Sequence, residues 1–131
     1  MELDKRVGEY AAAIVQNADR LLENATHLNN EQQQYCNALK SSAVHFLSLY
    51  NEFLPSFKEL RIEPYLLAFD LRAPLSGIAG YCELLGLTAE LGTLDKAQLQ
   101  LLHQIKEFYL FILNALTIWV SAVHKAQSDD I

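Results

Sequence analysis

Residues 69–85 read FDLRAPLSGIAGYCELL. Their apolar members Leu71, Leu75, Ile78, Cys82 and Leu85 recur at spacings of 4, 3, 4 and 3, which is one stripe of a helix. Pro74 sits inside that stripe, where a proline removes a backbone donor and crowds the preceding turn. A helix that keeps its stripe through a proline is expected to bend there. A seven-residue repeat over two turns also predicts a helix that packs nearly parallel to its neighbours in a bundle.

The same spacing recurs three more times. A first stripe runs Val7, Ala11, Ile14, Ala18, Leu21, Ala25, Leu28, with Glu2, Asp4 and Glu9 at its positive end. Asn29-Asn30 is expected to break it, and either Asn could cap the next helix. The second stripe is Cys36, Leu39, Ala43, Phe46, Tyr50, Phe53, Phe57, Leu60, crossing Pro55 at an expected bend. Residues 61–64, RIEP, form the next break, with Pro64 suited to a first helical position. The third helix is expected from Leu67 to Leu85 or slightly beyond, followed by a turn region at Gly86, Gly92 and Thr93. Thr93 or Asp95 can cap the fourth, whose stripe is Leu102, Ile105, Tyr109, Ile112, Leu116, Trp119, Val123. The final SDDI reads as a frayed tail.

Stripe two shifted by 66 residues gives stripe four, and stripe one from Val7 to Leu21 shifted by 64 gives the opening stripe. Residue identities barely match, but two hairpins of equal length can close into one bundle. The predicted fold is therefore all-α: a four-helix up-and-down bundle in one domain over 1–131, with hairpins at about 1–60 and 64–127. One chain would then complete the bundle. The alternative is a dimer through Leu71, Ile78, Ile112 and Trp119, and Phe108, Phe111 and Ile118 beside the fourth stripe leave room for a homodimer.

Composition narrows the function. The chain carries a net charge of −6 and no basic stripe with interleaved aromatics, so no nucleic-acid partner is expected. The uncharged window from Phe108 to Val123 is 16 residues, short of the roughly 20 that span a bilayer. No membrane insertion is expected, and MELDKRVGEY lacks a secretion signal. Cys36 and Cys82 lie on core stripes without CxxC spacing and read as buried apolar residues of a reducing cytoplasm. The four histidines lack metal spacing, and no metal or cofactor is implied.

Asp70-Leu71-Arg72-Ala73-Pro74-Leu75, then Ile78, Gly80-Tyr81 and Glu83-Leu84-Leu85, resembles the H-box of bacterial sensor histidine kinases. The likeness covers about 17 residues; the fourth helix resembles that domain's second helix only in its heptads. The resemblance implies a dimerisation and phosphoacceptor domain, a helical hairpin that pairs into a four-helix bundle in two-component signalling. The phosphoacceptor position is Phe69 here, which has no nucleophilic nitrogen. Asp70, matching the acidic neighbour that assists the histidine, has nothing to activate. The 131 residues hold no Gly-rich nucleotide loop and leave no room for an ATP-binding domain, so no kinase catalysis is expected. The implied role is a non-catalytic bundle that binds a response-regulator receiver or a sensor kinase as adaptor or antagonist. Its docking residues would be Phe69, Asp70, Arg72, Ala73, Pro74 and Ser76, with Arg72 and Pro74 shaping the bend.

Phe69 lies two residues, about 200°, from Leu71 on the wheel and should face outward. It is either covered by a neighbouring helix or exposed as an anchor. His103-Gln104-Ile105-Lys106 is similar to the His-x-x-Lys of histidine-phosphotransfer domains, although Glu107 stands where a small residue is usual. His45, beside Ser41, Ser42 and Ala43, is the other alternative phosphoacceptor, against the plainer reading of boundary histidines. His27 and His124 sit near helix ends and carry no signal. Asp70, Arg72 and Glu83 could form a surface ion-pair set, worth little stability. Phe108, Tyr109, Phe111 and Trp119 read as core, with an apolar ligand between the helices as the alternative.

Overall fold

The computed structural model describes residues 5–23, 28–60, 64–89 and 94–129, with side chains except at 53–60, 64–68, 89 and 123–129. Four helices result: α1 (Arg6–Glu23), α2 (Asn30–Leu60), α3 (Pro64–Ala89) and α4 (Lys96–Asp129). Each of α1 and α3 packs against both α2 and α4, while the diagonal pairs hardly touch. The chain is thus an all-α four-helix bundle made of two hairpins.

The core is the four stripes. Val7, Ala11, Ile14, Ala18 and Leu21 of α1 are buried together with Cys36, Leu39, Ala43, Phe46 and Tyr50 of α2. Leu71, Leu75, Ile78, Cys82 and Leu85 of α3 meet Leu102, Ile105, Ile112, Leu116 and Trp119 of α4. Tyr109 is half-buried at the core margin. Ala25, Phe53, Phe57, Leu60, Leu67, Thr93 and Val123 lie outside the described side chains.

Several boundaries differ from the sequence expectation. The first stripe continues to Leu28, but α1 is described only to Glu23; Leu28 is buried from a non-helical position. α3 runs as one helix through Pro74 and on past Gly86 to Ala89. Thr88 supports that last turn by donating its hydroxyl to the Leu85 carbonyl at 2.8 Å. α2 likewise continues across position 55, and Ser128 and Asp129 of the expected tail are helical.

Both even-numbered helices start on the same device. The Gln32 N–H donates to Asn29 Oδ1 at 2.8 Å, and the Asn29 N–H donates to Gln32 Oε1 at 3.0 Å. The Gln98 N–H donates to Asp95 Oδ1 at 2.7 Å, and the Asp95 N–H donates to Gln98 Oε1 at 3.0 Å. These are reciprocal capping boxes that satisfy otherwise orphaned helix donors. Leu28 and Leu94 precede the two caps and are both buried, as are Gln32 and Gln98. The two boxes stand 66 residues apart, the offset that relates the core of α2 to that of α4.

Between the hairpins, Gly77 brings α3 close to α2: a Cβ there would run into Ser42 Oγ. On the other side, Asn17 Nδ2 donates to Gln104 Oε1 at 3.1 Å, tying α1 to α4. Tyr10 adds aromatic contacts at 5.2 Å to Phe108 and 4.2 Å to Phe111, and the Arg6 guanidinium lies 5.0 Å from the Phe111 centroid.

Candidate functional site

Phe69 is 71% exposed, so the covered alternative does not hold. The helical wheel explains it. Leu71 points into the core, and two residues back the side chain points away from it. Phe69 stands at the rim of a groove of about 470 Å³ between α3 and α4. Arg72, Leu75 and Ser76 line it from α3, and Tyr109, Leu113 and Thr117 face them from α4. A second hollow of about 340 Å³ continues along the same helix pair, lined by Ala79, Cys82 and Glu83 opposite Lys106, Tyr109 and Leu110. Among the α3 residues that line these hollows, Ser76 and Ala79 are small and leave room that larger side chains would fill.

Of the expected docking residues, Phe69, Arg72 and Ser76 come together on this groove. Asp70 and Ala73 are exposed beside it. Pro74 is buried, so it offers a partner nothing. The ion-pair set expected of Asp70, Arg72 and Glu83 does not form among the described residues. Each of these charges is exposed and stays solvated.

The two alternative phosphoacceptors lie apart from one another on different helices. His45 is exposed on α2. His103 is exposed on α4, and its Nε2 sits 3.3 Å from Glu107 Oε1. A carboxylate at that distance occupies the space and carries the charge sign of an incoming phosphoryl group. His27 and the side chain of His124 fall outside the described residues. Among the described residues no cluster of three metal-ligating side chains occurs.

One expectation about α4 changes. Phe108 and Phe111 are covered by Tyr10 and Arg6, so they close the bundle rather than offer a dimer surface; Ile118 remains 56% exposed. The sequence shows no signal for this, because the covering residues sit about 100 positions earlier. The segment Lys96–Ala122 is also long and apolar enough to cross a membrane by length and composition alone. A long core helix of a bundle meets the same condition, so length and composition alone do not overturn the expected lack of membrane insertion.

Burial pushes the Cys36 thiol up to about 11. It pushes the Cys82 thiol up to about 12, with Lys106 opposing and Cys36 adding to the rise. Neither is a nucleophile at neutral pH.

No protein-family model, no curated protein and no solved structure matches the chain.

Proposed function

We propose that the protein is a non-catalytic, histidine-kinase-like bundle of two-component signalling. It would hold a response-regulator receiver, or a sensor kinase, as an adaptor or antagonist in the cytoplasm. The observation that carries this reading is Phe69. It occupies the phosphoacceptor position of the H-box-like stretch and stands exposed at the rim of an open α3–α4 groove. An exposed aromatic beside a hollow is the usual form of a binding anchor. Phosphoryl chemistry has no acceptor there, so the groove's contribution is affinity.

The test is calorimetry of the chain against receiver domains and kinases of the same organism. Wild type should bind at least one of them, and Phe69→Asp should weaken that binding at least about tenfold, an anchor-sized loss. Phosphorylated receiver should leave no acid-labile label on His45 or His103. If no receiver and no kinase binds, or if Phe69→Asp binds as well as wild type, the reading is wrong.

A further inference from the structure

We propose that the trough between α3 and α4 binds a single-chain carboxylate amphiphile, a free fatty acid, with its head on Arg72 and its tail lying towards Lys106. The first observation is the shape. The two hollows, of about 470 and 340 Å³, share Tyr109 in their walls, so they form one trough. Each falls in the size range of small-ligand pockets, roughly 300–1,000 Å³. From Arg72 to Glu83 the α3 wall is about 17 Å long, at about 1.5 Å of rise per residue. Packed helix axes stand about 8–10 Å apart, so the seam between them takes one extended acyl tail and not the two tails of a phospholipid.

The second observation is where apolar surface and charge lie along the trough. Leu75, Leu116 and Cys82 are its buried floor, and burial holds the Cys82 thiol neutral. Leu110 and Leu113 are exposed along its α4 side, and a tail would cover them. Charge enters only at the ends. At the far end Glu83 and Lys106 have opposite signs, and Lys106 Nζ lies against α3, 3.5 Å from where a Gly86 Cβ would stand. At the near end Arg72 is the one charged residue lining the larger hollow. The chain has 16 acidic residues against 10 basic ones, yet among the described residues none pairs with Arg72. An unpaired surface arginine is ordinary. One at the head of an apolar trough, in a chain of net charge −6, complements a monoanionic head and can donate two parallel N–H···O bonds to it. Ser76, one turn on from Arg72, brings a hydroxyl donor to the same end. Thr117 opposite gives its hydroxyl proton to the Leu113 carbonyl at 2.8 Å and so adds no donor.

The site stands on the two hollows, whether or not a receiver docks at Phe69. A bound acid would occupy Arg72 and Ser76, which belong to that docking surface, and so would compete with a receiver.

Calorimetry of the full chain with dodecanoate below its micelle concentration tests the site, with no receiver or kinase present. Dodecanoate should bind one per chain, and dodecyltrimethylammonium should bind at least about tenfold more weakly. Arg72→Gln should weaken dodecanoate roughly tenfold, the loss of one charge-assisted pair. Ala79→Leu, at a half-buried position, should fill the trough and abolish binding with circular dichroism unchanged. Amide shifts in NMR make wild type decisive by itself: dodecanoate should move residues 72–83 and 106–117. No binding overturns the proposal. So does equal binding of the two head groups, undiminished binding by either variant, or shifts that fall on α1 and α2 instead. Binding to phosphatidylcholine vesicles without binding of the free acid overturns it too and assigns the trough to a membrane surface. Failure here leaves the signalling reading standing, and failure of receiver binding leaves this one.

Discussion

Single residues decide how close the helices come. At Gly77 a Cβ would collide with Ser42 Oγ, and Ser42 is anchored on the α2 backbone. Gly77→Ala should therefore cost about 1–3 kcal/mol in urea unfolding, an overpacking penalty. Gly80 sits three residues on in the same helix with open space above it. There Ala should stabilise by up to about 1 kcal/mol through helix propensity alone. Equal effects at the two positions would refute the close approach of α2 and α3. The buried thiols give a pH prediction. Folding favours the neutral thiol, since Cys36 rises from 9.0 to about 11 and Cys82 from 9.0 to about 12. Their contribution is fully present below pH 9 and is lost as pH climbs through 9 towards 11–12. Urea stability should fall across that window, and less steeply in Cys36→Ala. Maleimide labelling at neutral pH should track global unfolding rather than run freely.

At the scale of the element, what was legible is what a period can carry. The described members of the four stripes, apart from Tyr109 at the margin, land in the core, because burial at a 4-3 spacing is the condition for a helix to belong to a bundle at all. The ends were harder. Asn29 and Asp95 read as caps, and Gln32 and Gln98, each three residues after an Asn or Asp, carry a capping-box signal as well. Their full burial comes from the tertiary fold, which pattern alone does not show. The groove was half legible. The angle from Leu71 turns Phe69 outward, yet the opposing wall of Tyr109, Leu113 and Thr117 depends on which helix lies beside α3. The caps make their own prediction. Asn29→Ala and Asp95→Ala should each cost about 1 kcal/mol by urea denaturation. They share no partner, so the double variant should lose the sum. A double loss well short of the sum would mean that the two helix starts do not act as independent caps.

At the scale of the whole molecule, the question is what sets the order and register of the two hairpins. Apolar stripes alone tolerate a slip of seven residues, because each heptad resembles the next. Asn17 is 5% exposed and sits between core positions Ile14, Ala18 and Leu21 of α1. Its hydrogen bond to Gln104 crosses from the first hairpin to the second. Neither side chain has an equivalent at the matching offset, where Tyr81 and Ala38 stand. The pair therefore marks one of the two inter-hairpin seams and distinguishes α1–α4 from α2–α3. A buried amide pair adds little net stability but is costly to break on one side, since the surviving partner keeps its desolvation. Asn17→Leu alone should thus destabilise by about 1–3 kcal/mol, and Gln104→Leu by less, because that amide is only half-buried. The double change should recover most of the loss, giving a coupling of about 0.5–1.5 kcal/mol in a double-mutant cycle. The doubly apolar chain, although near wild type in stability, should lose uniqueness: broadened amide resonances in NMR, or faster hydrogen exchange along α1 and α4 than along α2 and α3. Sharp, wild-type-like spectra in that variant would show that packing at Gly77 and Ser42 holds the register alone.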